Sequence, residues 1–194
     1  MRIGKQERRT RETEICVTID LDGSGKAKIA TGVGFLDHML NSFAVHGRFD
    51  LEVVVEKSDL EIDCHHTVED TGIVLGKAIG EALGDKAGIA RFGSFYIPMD
   101  EALSFAAVDI SGRPFLVYDN VHKNEMIGNY ETDMTEEFFR AVVFNAGMTL
   151  HLKSLYGTND HHRIEAMFKA FAYAMAMAVK KLDTDAPVST KGVL

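Results

Sequence analysis

A five-residue string occurs twice in this chain. His65-His66-Thr67-Val68-Glu69 returns 96 residues later as His161-His162-Arg163-Ile164-Glu165. The stretch 37–51 (DHMLNSFAVHGRFDL) lines up with 136–150 (EEFFRAVVFNAGMTL) at an offset of 99. The surrounding elements also recur. Residues 13–21 alternate polar and apolar and predict a strand. DGSGK at 22–26 reads as a turn, with a return strand after it. Residues 35–47 have helical spacing and end in Gly47, 50–56 read as a strand, and 65–83 as a helix stopped by Gly84. The Gly-rich stretch 84–101 reads as a long connection. The chain then starts over: strand ALSFAAVDI, turn SGRP, strand FLVYD, helix 135–147, strand MTLHLKS and helix 160–182. The tail from Asp183 reads as irregular. Two strands, a helix, a strand and a helix in each part make an internal duplication the economical reading.

The expected fold is therefore α+β: one catalytic domain of two similar α/β halves, about 1–90 and 91–185, plus a tail. The last helix, IEAMFKAFAYAMAMAVKK, is apolar nearly all round, so it is expected to be buried on most sides. That places the helices between the halves and the sheets outside. At 46% hydrophobic and 26% charged residues, the chain can build a packed core.

The repeated string has a chemical logic. On a helix, positions i and i+4 share a face with Cβ atoms about 6 Å apart, so His65 and Glu69 can chelate one cation, as can His161 and Glu165. Adjacent residues diverge by about 100°, so His66 and His162 point elsewhere and can serve a second ion. The duplicated earlier helices align His38 with Glu137, which adds one donor to each centre. The sets expected are His38, His65, Glu69 and His162 around one ion, and Glu137, His66, His161 and Glu165 around the other. Imidazole and carboxylate without thiolate suit manganese, iron or zinc. The two cysteines, Cys16 and Cys64, form no CxxC and imply neither a disulfide framework nor a structural zinc site.

Other classes recede. A net charge of −8 excludes a nucleic-acid partner held through phosphates. The charged N-terminal stretch does not read as a signal peptide, and no window is long and apolar enough to span a membrane, so a soluble cytoplasmic protein is expected.

The strings LDGSG, TGVGFLDHML, DCHHTVEDTGI, ARFGS, MDEAL, DISGRP, EEFFRA, TLHL and NDHHRIEAMFKAFA resemble imidazoleglycerol-phosphate dehydratases, from about residue 9 to the tail. Many relatives carry His where this chain has Glu137. The resemblance implies a duplicated fold of the ribosomal protein S5 domain 2-like kind. It implies dehydration of a small phosphorylated imidazole substrate in histidine biosynthesis, with ring-assisted loss of hydroxide through a diazafulvene-like species. It implies two Mn2+ ions and a homo-oligomer, a 24-mer with active sites shared between subunits. His65, Glu69, His161 and Glu165 would then be catalytic as well as ligands, and Glu12 would be an added base. Arg91, Arg113, Lys169, Ser189 and Lys191 would bind the phosphate, the arginines suiting bidentate recognition. Another two-metal hydrolase, or a metal-binding shell protein without catalysis, fits the ligand pattern too.

Overall fold

The structure, a computed structural model, describes residues 1–192. The first half runs β1 (Ile3–Arg9), β2 (Glu14–Asp20), β3 (Ala27–Ala30), α1 (Gly34–Gly47), β4 (Asp50–Lys57) and α2 (His65–Leu83). The second runs β5 (Phe92–Met99), β6 (Ala102–Asp109), β7 (Phe115–Asp119), β8 (Met126–Ile127), β9 (Tyr130–Glu131), α3 (Met134–Ala146), β10 (Thr149–Tyr156) and α4 (Asp160–Ala178). Each half folds into a four-stranded sheet, ordered β1-β2-β4-β3 and β5-β6-β10-β7. The orders are equivalent, with one parallel pair in each, β3 on β4 and β7 on β10. The duplication is thus three-dimensional.

Each four-stranded sheet contains one strand more than the sequence reading found, and β8 and β9 add a separate two-stranded ribbon. Residues 92–99, expected to belong to a connection, form β5, and residues 3–9 form β1. Both are sheet edges, where alternation is weak because only one residue of each is buried, a glycine with no side chain to show a pattern: Gly4 in β1 and Gly93 in β5. Pro98 is tolerated in β5 because an edge strand can spare an N–H. The central strands show the expected period of two. Ile15, Val17 and Ile19 of β2 and Leu150 and Leu152 of β10 are fully buried, and their neighbours face outward.

The four helices lie between the sheets. α2 packs on β1 and β2, and α4 on β5, β6 and β10; across the halves, α1 meets α4 and α2 meets α3. Phe43 of α1 stacks on Phe171 of α4, 5.3 Å between centroids, and Phe138 and Phe139 of α3 pack on Phe168. α4 is buried on most of its circumference, as its composition requires. It ends at Ala178, four residues before the predicted limit. α1 does not end through a left-handed Gly47. The left-handed residue is Arg48 (φ 58°), and glycine is needed at 47 because a Cβ there would lie 2.4 Å from the Phe49 ring.

An arginine ties the halves at the edge through a hydrogen bond, braced by an ion pair in the first half. Arg2 grips Asp22 at 2.7 Å and donates to the Val179 carbonyl just past α4 at 2.7 Å. The Arg2 hydrogen bond holds the Asp22 carboxyl below the usual range. A depressed folded pKa contributes stability that is present above the unfolded carboxylate pKa and is lost as pH falls through the folded one. Asp22→Asn is accordingly expected to cost about 1 kcal/mol at pH 7 and progressively less as pH falls below the ordinary carboxylate range, read by urea unfolding at fixed chain concentration.

Candidate metal centres

Two Asx side chains start the helices that carry the repeated string. Asp63 Oδ1 accepts the His65 amide at 2.8 Å, and Asn159 Oδ1 accepts the His161 amide at 2.9 Å. Asn159 is the N-cap of α4, and Asp63 makes the same bond from one residue ahead of Cys64, the N-cap of α2. Asp160 adds a clamp in the second half: its Oδ2 takes the amides of Lys123 and Asn124, both at 2.8 Å, and its Oδ1 meets Arg163 at 3.2 Å. These bonds fix where the His-His pairs emerge.

The first cluster forms across the halves. His38 Nε2 on α1 and His161 Nε2 on α4 each lie 3.1 Å from Glu165 Oε2. The three donor atoms all sit within 4.8 Å of one another. Lys169 holds the other oxygen, Oε1, at 2.7 Å, which leaves Oε2 for the imidazoles. Glu165 is buried. Burial pushes its carboxyl upward, but Lys169 and then His38 outweigh it, and the net direction is down. An ionised carboxylate therefore stands ready as a ligand. Packing holds the rings: Phe35 meets His161 edge-on at 5.0 Å, and buried Tyr130 of β9 backs Phe35 at 5.2 Å. Asn129 donates to the Gly32 carbonyl at 3.0 Å, so the β8–β9 ribbon steadies the start of α1.

The second cluster is the pseudo-symmetric counterpart on α2 and α3. His65 Nε2 lies 3.6 Å from Glu69 Oε2. Glu137 lines the same two clefts as these residues, a 630 Å³ cleft with His65 and a 200 Å³ cleft with Glu69. Its carboxylate leans on Arg140 at 3.4 Å. This centre is more open and carries two carboxylates.

The grouping expected from the sequence needs correction within the chain. His38 does not join His65, Glu69 and His162, and Glu137 does not join His161 and Glu165. Because α1 packs on α4 and α2 on α3, His38 meets His161 and Glu165, and Glu137 falls beside His65 and Glu69. The second histidines diverge from both trios, as helix geometry requires. His66 Nδ1 lies 2.6 Å from Asp59 and 3.7 Å from Glu12; His162 Nδ1 lies 2.8 Å from Glu101. Glu12 sits in the β1–β2 hairpin and Glu101 in the equivalent β5–β6 hairpin. Sequence reading missed Asp59 and Glu101. Recognising β1 and β5 would have found Glu101, by mapping one hairpin onto the other.

The expected phosphate residues separate into two places. Lys169 is at the first cluster. Arg91 and Arg113 are at the far end of β6, seven strand steps or about 23 Å along that strand from the Glu101 hairpin. Arg91 pairs with Asp109 at 2.7 Å and donates to the Val188 carbonyl at 2.6 Å, which pins the tail. Arg113 is 67% exposed and 3.5 Å from Asp109. Ser189 Oγ accepts the Lys191 amide at 3.2 Å. His122 is half-buried, 3.0 Å from the Tyr118 hydroxyl.

Imidazoles and carboxylates converging from helices on both sides of a pseudo-dyad, with no thiolate among them, define a metalloenzyme of duplicated α+β fold. The donor chemistry fits hard to borderline divalent ions. The family model for imidazoleglycerol-phosphate dehydratase matches residues 31–175. The dehydratase of Acetivibrio thermocellus is 62% identical over 96% of both chains, and that of Clostridium kluyveri 54% over the whole of both. The crystal structure of the Staphylococcus aureus enzyme superposes with a TM-score of 0.83 at 41% identity, over 92% of this chain and 99% of that one. The structure of the Pyrococcus furiosus enzyme, in complex with (S)-C348, gives 0.83 at 36% identity, over 97% and 99%. The chain belongs to the imidazoleglycerol-phosphate dehydratase family. Its activity is that of a metal-dependent hydro-lyase, which removes water from a phosphorylated imidazole substrate in histidine biosynthesis. No helix is long and apolar enough to cross a membrane.

Proposed function

We propose that the single domain works in the cytoplasm with two Mn2+ ions per active site, held by the trios His38, His161, Glu165 and His65, Glu69, Glu137. Each trio is completed by an outward imidazole, His66 or His162, of a neighbouring copy in a homo-oligomeric 24-mer. The observation that supports sharing is the divergence itself: each trio lacks the adjacent histidine, and the exposed cations Arg113 and Lys191 lie about 23 Å along the sheet from that chain's own His162. Neighbouring copies bring both ends together.

Bound ions supply Lewis acidity that favours the deprotonated ring and so assists loss of the hydroxyl from the carbon beside it. The chain's own residues do the rest. The trios orient the imidazole and the hydroxyls. Arg113, Lys191, Ser189 and Lys169 neutralise the phosphate, while Arg91 holds the tail that brings Ser189 and Lys191 forward. Glu12, exposed on its hairpin beside His66, takes the proton from the next carbon. The double bond then lies between the two carbons, and the enol becomes the ketone.

Two inactive variants test the sharing. Chains with His66→Ala and chains with Glu165→Gln, unfolded and reassembled together, are expected to recover activity because some sites combine an intact trio with an intact His66. Recovery no greater than either parent alone would reject sharing.

A further inference from the structure

His66 and His162 differ from the other candidate ligands in one respect. His38, His65 and His161 point Nε2 at a glutamate of their own trio. His66 and His162 instead present Nδ1 to a carboxylate outside either trio. Asp59 Oδ2 lies 2.6 Å from His66 Nδ1, and Glu101 Oε2 lies 2.8 Å from His162 Nδ1. A carboxylate only accepts, so each Nδ1 must carry the proton. The lone pair of the neutral ring is then on Nε2, and among the described residues neither Nε2 makes a hydrogen bond.

The two carboxylates are placed for this task by different means. Asp59 is 7% exposed, and its other oxygen, Oδ1, has no partner among the described residues. Its only side-chain hydrogen bond is to His66. A buried carboxylate spent on one imidazole is costly unless that contact matters. Glu101 is a strut. Its Oε1 takes the amides of Thr158 at 2.9 Å and Asn159 at 2.8 Å and the Thr158 hydroxyl at 3.2 Å, which leaves Oε2 for His162. Unrelated anchors, on a loop before α2 and on a β-hairpin, reach the same geometry at both outward histidines.

We propose that Asp59 and Glu101 are positioning residues that fix the Nδ1–H tautomer and ring direction of His66 and His162, so that each offers Nε2 to a divalent ion. All five imidazoles of the two centres then donate through the same nitrogen. This rests on the reading of His66 and His162 as ligands. A ligand histidine whose other nitrogen is held by a carboxylate is more basic and pre-oriented, and loss of such a partner typically weakens metal binding about 10- to 100-fold.

The test is a Mn2+ titration, by calorimetry and by the electron paramagnetic resonance of free Mn2+, on the full-length chain and on variants. Asp59→Asn and Glu101→Gln keep size and shape. Glu101→Gln can still accept the Thr158 and Asn159 amides through its oxygen, but it turns a donor toward His162 Nδ1 and moves the ring proton to Nε2. Each variant should bind Mn2+ about 10- to 100-fold more weakly at one centre, with the other centre and the metal-free thermal midpoint unchanged. In a His66→Ala background, Asp59→Asn should cause no additional loss, a dependence that a general structural role would not show. Wild-type affinity in both amide variants, with His66→Ala and His162→Ala each impaired, would overturn the inference alone. Wild-type affinity in the two alanine variants would overturn the ligand reading beneath it.

Discussion

Glu165→Gln is expected to abolish turnover, by a factor of at least about 10³, which corresponds to about 4 kcal/mol of barrier. The side chain touches every other member of its cluster. Oε2 lies 3.1 Å from both His38 and His161, and Oε1 holds Lys169 at 2.7 Å. Glutamine keeps the shape and an acceptor but removes the charge that makes an ionised ligand. It also leaves Lys169 without its neutralising partner, and Lys169 is itself largely buried. The variant should fold, bind about half the wild-type complement of Mn2+, and show no product from imidazoleglycerol phosphate. Alanine is the poorer probe, because it opens a hole beside His161 and confuses loss of chemistry with loss of packing. Near-normal turnover with Glu165→Gln would remove the first cluster from the active site.

Gly93→Val should have the largest effect on folding. A Cβ at Gly93 would sit 1.9 Å from the Ala174 carbonyl oxygen, and one at Gly4 would sit 1.9 Å from the Ala78 carbonyl oxygen. These are equivalent places in the two halves, where an edge strand crosses its own half's second helix. The obstacle is backbone on both sides, so no rotamer change relieves it. β5 would have to leave α4, and α4 carries His161, Glu165 and Lys169. Overpacking that side chains can absorb costs about 1–3 kcal/mol, and a clash with a helix carbonyl should exceed that range. Gly93→Val is expected to be insoluble or to unfold at much lower urea than wild type. A wild-type urea midpoint would mean that β5 does not pack as described.

The same glycines explain which elements were legible in the sequence. β2, β4, β6 and β10 bury one face against helices, and their period of two is plain. α2 was legible in the sequence, because helical spacing begins at His65 and Gly84 stops the helix. β1 and β5 turn only a glycine into the core and read as charged or Gly-rich connection. The duplicated string pointed to His65 and Glu69, and to His161 and Glu165, as neighbours on one helix face, since i and i+4 on a helix is a local fact. The grouping of His38 and Glu137 was not local. It depends on which helix crosses which at the interface between halves, and the sequence spacing contains no sign of that. Asp59 was invisible for a related reason, and Glu101 stayed hidden because the hairpin that carries it was not recognised. Asp59 is one acidic residue among 29, distinguished only by the histidine it meets in space.

The most direct test of the account is turnover of imidazoleglycerol phosphate by chelator-stripped enzyme, with Mn2+ returned in measured amounts. The stripped protein should show no turnover, and full activity should return as two ions bind per chain. Turnover that persists with no divalent ion bound, or that is complete with both trios empty, would contradict it.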